Sequence, residues 1–277
     1  VDSIIKFNDI PAEDLEIIVV DNSDPDEGVE LQKLLDARYH SSVRFFQNQN
    51  FGYGHGNNVG VKLATGDIIL IMNPDVRLTE SLFGRTLQHF ENQEVASVGY
   101  RQINNVSDFS FYRFPELHFP LIYSIINRRD NKKYAFSQYK NSLSGAFVFF
   151  RKADFVLAGR YDENMFMYLE EPDIARRINN LGKRIVFDPG AAYTHLMEHK
   201  DDYNQKLLDI GTNSIAIYFT KHQLNLRRYI TSRIIELQMH KFIFTVFGNR
   251  QRVRKAQAYI NSLEKAYDYQ NRYLNNK

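Results

Sequence analysis

The stretch Ile68-Ile69-Leu70-Ile71-Met72 is apolar at every position and then stops abruptly at Asn73-Pro74-Asp75. A half-exposed strand alternates apolar and polar residues, so an unbroken run of this length belongs to a strand covered on both faces, as in an α/β sheet flanked by helices. Such a strand ends by aiming a carboxylate outward. Around it, residues 15–100 predict strands at 15–21, 43–47, 67–72 and 95–100, with helices at 27–38, 56–64 and 80–91 between them. That alternation predicts βαβ units and a mostly parallel sheet. Ligands of open α/β sheets sit beyond the carboxyl ends of the strands. Two of these ends carry polar clusters, "VVDNSD" and "NPDV", and the strand between them runs into "NQNFGYGHGNNVG", whose glycines permit close backbone approach before a helix begins.

The 277 residues are 43% hydrophobic and 25% charged, enough for one large folded domain or a domain with an appendage. There is no cysteine, which excludes disulfides, thiolate nucleophiles and zinc–thiolate sites and fits a reducing, cytoplasmic compartment. No apolar run approaches the length that spans a bilayer. A net charge of +2 gives no footing for nucleic acid, but the charge is uneven. Between Lys221 and Lys255 the only acid is Glu236, against Arg227, Arg228, Arg233, Lys241, Arg250, Arg252 and Arg254 inside those ends. Residues 101–142, with their aromatics, Arg113, Arg128 and Arg129, read as an insertion covering a site. A strand follows at 143–152, then a helix opened by Pro172 and terminated by Gly182, and from about 203 the pattern is helical.

Four features bear on chemistry. "MYLEEPDI" places Glu170, Glu171 and Asp173 at a helix start, where a negative charge is stabilised by about 0.3–1 kcal/mol. Met165, Phe166, Met167 and Tyr168 precede them, which puts the acids at the mouth of a cleft, and crowding raises carboxyl pKa values toward those of a general base. Asp75 is either a turn residue or an oxygen ligand for a divalent cation; His195, closing "AAYTH", is either structural or a ligand. The glycine loop fails the dinucleotide pattern G-x-G-x-x-G, because the last position is Asn57 counted from Gly52 and Val59 counted from Gly54. Asn57 and Asn58 supply amide donors and acceptors beside it.

Taken in order, "VVDNSD", "NFGYGHGNNVG", "GDIILIMNPDV", "SGAFVFFRK", "GRYDENMFMYLEEPDIARRI" and "AAYTH" resemble the GT-A glycosyltransferases of family 2, and "NPDV" is similar to the rhamnosyltransferase branch. The resemblance implies a Rossmann-like α/β catalytic domain over residues 1–202. Its nucleotide-sugar half would span about 1–100 and its acceptor half about 143–202, followed by a basic helical extension, 203–277. It implies an inverting transferase that moves a sugar, with L-rhamnose a candidate, from a dTDP- or UDP-sugar to a saccharide or lipid-linked saccharide in cell-surface polysaccharide synthesis. Asp75 and His195 would hold Mg²⁺ or Mn²⁺ on the diphosphate, with Asn73 standing where relatives carry the first acid of D-x-D. Asp21, Asn22 and Ser23 would contact the nucleoside, and Asn50, Gly52, Gly56 and Asn57 would line the donor. Glu171 would be the catalytic base, one methylene longer than the commoner Asp, with Glu170 and Asp173 orienting it or the acceptor.

Relatives open with an apolar strand, whereas this chain starts "VDSIIKFNDIP", which resembles the helix after it; the first strand is therefore expected to be missing. A chain without it could be a catalytically inactive binding subunit. A sugar nucleotidyltransferase is the other rival, but it needs a basic triphosphate loop, and no Lys or Arg lies between Phe46 and Val61. The basic extension has two readings: solvated helix faces, or a peripheral contact of 221–277 with an anionic membrane, at its inner face.

Overall fold

The computed structural model describes residues 1–104, 109–116, 120–196 and 204–275. The chain opens with α1 (Asp2–Lys6), β1 (Ile18–Asp21), α2 (Pro25–Tyr39) and β2 (Arg44–Gln47). Pro25 lies in the first turn of α2, where its fixed φ suits a helix and its missing N–H costs nothing. β1 and β2 run parallel with Asp21 opposite Gln47, so the first βαβ unit forms as predicted. Next come α3 (Tyr53–Leu63), β3 (Ile68–Met72), β4 (Val76–Leu78), α4 (Phe83–Phe90) and β5 (Val95–Ile103).

Residues 101–142 contribute β6 (Phe111–Arg113) and α5 (Pro120–Lys132), and β7 (Asn141–Leu143) pairs with β6. Asn131 of α5 stitches the unit together, accepting from the Ser110 amide at 2.8 Å and donating to the Phe111 carbonyl at 2.8 Å. Phe111 meets Phe136 and Phe187 edge to face. The rest of the chain is β8 (Phe147–Arg151), α6 (Lys152–Leu157), α7 (Glu170–Asn180), β9 (Arg184–His195), α8 (Gln205–Lys221), α9 (Leu226–Val246) and α10 (Arg250–Asn275). Gly182, at φ +72°, ends α7 in the left-handed conformation that favours glycine.

The larger sheet has the order β3-β8-β5-β9-β4, and the predicted parallel character holds for only part of it. β5 and β9 are parallel, but β8 runs against both β3 and β5, and β4 runs against β9. Alternation predicts parallel neighbours only where each strand is followed by a crossover helix. Here β4 leaves β3 through the short Asn73-Pro74-Asp75 turn, and β8 arrives after the β6–α5–β7 detour. The sheet is mixed. Among the described residues β1 pairs only with β2, and that ladder stands apart from the five-stranded sheet.

β3 is covered on both faces, as its composition requires. Ile69 and Ile71 face a core with Val61, Phe150, Phe155 and Ile174, while Ile68, Leu70 and Met72 pack on a second with Val98, Phe149 and Tyr193. A third core joins α8, α9 and α10 to Met165, so the C-terminal helices bury apolar surface of their own and are pinned beside the start of α7.

Candidate active site

β3 ends where the backbone amide of Asn73 donates to the Ala146 carbonyl at 2.9 Å, and the Val76 amide closes the turn on the Asn73 carbonyl. β4 then pairs with β9 so that Val76 lies opposite His195, and the Leu196 amide donates to the Asp75 carbonyl at 2.8 Å. This register brings Asp75 Oδ1 within 3.2 Å of His195 Nε2. The Asp75 side chain is 46% exposed, the imidazole is nearly buried, and His195 Nδ1 has no hydrogen-bond partner. A carboxylate and an imidazole at this spacing fit a divalent cation that takes its other ligands from phosphate oxygens and water. Among the described residues no group of three or more His, Cys, Asp or Glu is arranged to hold a metal, so the protein's share would be these two.

The residues expected to line the donor collect where β1 and β2 end and α3 begins. Asp21 accepts from the Ser23 hydroxyl at 2.6 Å, and Asn22 Oδ1 accepts from Asn48 Nδ2 at 2.7 Å. Asn48 Nδ2 is also 3.2 Å from His55 Nδ1. Gly56 lies close under Asn22: a Cβ there would sit 2.6 Å from Asn22 Nδ2 and would displace that side chain. Gly52, at φ +110°, caps α3 and is pressed against Phe166, whose carbonyl oxygen would lie 2.2 Å from a Cβ. Asn50 Oδ1 accepts from the Gly52 amide at 3.3 Å. Asn57 spends its amide on the Tyr53 carbonyl, one helical turn back. Asn58 is buried and ties α3 to Tyr161 and Glu163.

The carboxylates of α7 part ways within one turn. Tyr168 and Leu169 precede the helix with φ of +77° and +72°, a left-handed pair costing roughly 1–3 kcal/mol per residue. Glu170 is 1% exposed and its Oε1 has no partner; burial first, then the charge of Glu171, pushes its carboxyl up to about 9. Glu171 is half-buried and is pushed up by burial. It lies against Gly145, where a Cβ would sit 2.1 Å from Glu171 Oε1. The Tyr53 hydroxyl donates to the Gly145 carbonyl at 2.9 Å. Tyr112 lies within reach of the Glu171 charge, its phenol raised to about 12 by burial and then by that charge.

Asp173 turns away, fully buried against Arg177 at 2.5 Å, His222 at 2.9 Å and Lys221 at 3.0 Å. Burial pushes its carboxyl up, but the His222 hydrogen bond and the Arg177 and Lys221 charges outweigh that and hold it at about 2. It anchors α7 to α8.

Three elements therefore converge on Gly145-Ala146: Glu171 packs on Gly145, Tyr53 of α3 bonds its carbonyl, and Asn73 of the turn that carries Asp75 bonds Ala146. The sequence marks "SGAFVFFRK" as a strand and as one segment of the family resemblance, but it does not single out Gly145, Tyr53, Tyr112, Asn48 or His55 as site residues. The signal for Gly145 was a glycine directly before a fully apolar strand, where close backbone approach is expected.

A family model described as glycosyl transferase family 2 matches residues 1–157. The rhamnosyltransferase WbbL of Escherichia coli K12 is 24% identical over 202 residues, which is 68% of this chain and 75% of the relative. In structure, the chain is similar to the mannosyltransferase PcManGT from Pyrobaculum calidifontis in complex with GDP-Man and Mn²⁺. The TM-score is 0.59 at 13% identity, over 96% of this chain and 81% of that one. It is also similar to residues 1–349 of S. aureus TarS in complex with UDP, with a TM-score of 0.50 at 14% identity over 96% and 86% of the two chains. These likenesses show a GT-A fold.

Proposed function

The chain belongs to glycosyl transferase family 2, and from that membership we propose that it moves a sugar, with inversion, from a nucleotide-diphosphate donor to a saccharide hydroxyl. The convergence on Gly145-Ala146 carries this reading, because it sets a candidate base, a donor loop and a cation-binding turn around one short backbone segment.

In the proposed reaction Glu171 takes the proton from the acceptor hydroxyl as that oxygen bonds to the anomeric carbon. The bond from that carbon to the diphosphate breaks on the opposite face, which inverts configuration. Glu171 must be ionised for this, so the rate rises with pH through a pKa above the ordinary carboxylate range. Glu170 stays protonated beside it and places no second charge on the acceptor side. Asp75 and His195 would hold a divalent cation, which when bound would neutralise charge on the departing diphosphate. Asp21, Asn22 and Ser23 contact the nucleoside, and Asn50, Gly52 and Gly56 shape the loop over the donor. Asn57, bonded to its own helix, contributes through that loop's shape. Asp173 serves as a positioning residue for Glu171, because it ties α7 to α8. Tyr112, with the 101–142 segment behind it, walls the acceptor side.

Similarity to a rhamnosyltransferase makes L-rhamnose the sugar to test first; a dTDP donor and a lipid-linked saccharide acceptor at the inner face of the cell membrane complete the proposal. No helix of the described residues is long and apolar enough to cross a membrane. Calorimetric titration with dTDP, UDP and GDP, each with and without Mn²⁺, tests the donor half. Metal-dependent binding that Asp75→Ala abolishes is expected; binding indifferent to both would overturn the proposed cation site. Transfer of labelled sugar to a lipid-linked saccharide, lost in Glu171→Gln, tests the other half.

A further inference from the structure

The α9–α10 hairpin leaves one face bare. Ile235, Met239, Phe242 and Val246 recur at the spacing of one helical stripe, with Ile243 and Phe247 beside it. All six are exposed, Phe242 at 71%, Val246 at 67% and Phe247 at 80%. The opposite side of α9 is spent on the fold, since Tyr229, Ile230 and Leu237 are buried in one core with Ala256, Ile260 and Leu263 of α10. Arg252 stacks over Phe244 at 5.2 Å and Lys241 Nζ bonds Gln257 at 2.5 Å, so the far end of the hairpin is fastened and the bare stripe belongs to a formed helix pair.

Charge decides what can cover it. From Glu236 to Glu264 no acid intervenes, and Glu236 itself is buried and paired with Arg233. Directly after the hairpin turn, Arg250, Arg252, Arg254 and Lys255 are all exposed. A second copy docking on this face would bring two such cationic clusters together without an acid between them. A surface of lipid phosphates meets both features at once: apolar side chains enter the interface and the cations meet the phosphates.

The geometry points to this stripe and its cationic end as a peripheral docking surface for an anionic lipid bilayer, independent of which sugar the enzyme transfers. Co-flotation of the full chain with phosphatidylcholine vesicles containing phosphatidylglycerol, and with phosphatidylcholine alone, tests it. Binding to the anionic vesicles only, weakened by salt, is expected. Phe242→Ser with Phe247→Ser should lower it by about tenfold or more, and Arg254→Glu with Lys255→Glu by a similar factor. These side chains are exposed, so circular dichroism and thermal melting of the variants should match the parent. Equal binding to both vesicle types, no binding, or unchanged binding by the phenylalanine pair would overturn the assignment. So would a sedimentation mass of twice the chain that the phenylalanine pair halves, which would mark the face as a self-interface.

Discussion

Glu170 and Asp173 stand within one turn of the same helix, are equally buried, and are driven in opposite directions. Glu170 has no cation and keeps its proton to about 9; Asp173 has Arg177, Lys221 and His222 and loses it at about 2. Burial penalises both carboxylates, so partners decide the outcome. The lesson is that an acidic cluster at a helix start is not one site: Glu170 is buried and keeps its proton, Asp173 is buried and ties α7 to α8, and Glu171 alone of the three is half-exposed, the place of the proposed base.

Substitutions can break or sharpen this contrast. Glu171→Gln should lower kcat by about 10²–10⁴-fold while donor binding by calorimetry stays the same; full turnover in this variant would move the base elsewhere. Asp173→Asn should destabilise the fold by about 3–5 kcal/mol in chemical denaturation, since it leaves buried cations without their counter-charge. Because the folded pKa of Asp173 is depressed, its contribution is present above the ordinary aspartate range and fades as pH falls toward about 2. A variant as stable as the parent would dissolve the contrast.

Gly145→Ala pushes a methyl group into the Glu171 carboxylate and should cost about ten- to a hundredfold in kcat with a smaller change in KM, measured by steady-state transfer. The smallest effect is expected from Glu170→Gln. It should keep activity, in contrast with Glu171→Gln, and change the pH dependence of stability. The raised folded pKa of Glu170 means that parent stability falls as pH climbs from the ordinary carboxylate range toward about 9. The variant should therefore melt higher than the parent at about pH 8, by roughly 2–4 °C per kcal/mol regained, and equally near about pH 4.

Much of the first hundred residues was legible because its signals are local. The β1–α2–β2 unit, the covered strand β3 and the helix opened by Pro172 follow from periodicity, backbone restriction and end effects that act over a few residues. The directions of β4 and β8 were not legible, since a strand reads the same whichever way its neighbour runs. Asp75 and His195 could be named separately, but their approach to 3.2 Å depends on the β4–β9 register. Asp173 looked like its neighbours because Lys221 and His222 reach it from α8, a distant part of the chain. The basic helices of the C-terminal region were readable from composition; which stripe of α9 stays uncovered was set by its packing on α10.

By itself, then, the sequence determined the inventory: which segments become strands and helices, where strands end in polar clusters, and which side chains can bind a cation or take a proton. Tertiary structure alone decided what each of those groups is. A carboxylate's charge, a histidine's partner and a glycine's necessity depend on the dielectric and the atoms within a few ångströms. In this fold those atoms are supplied by residues far away along the chain.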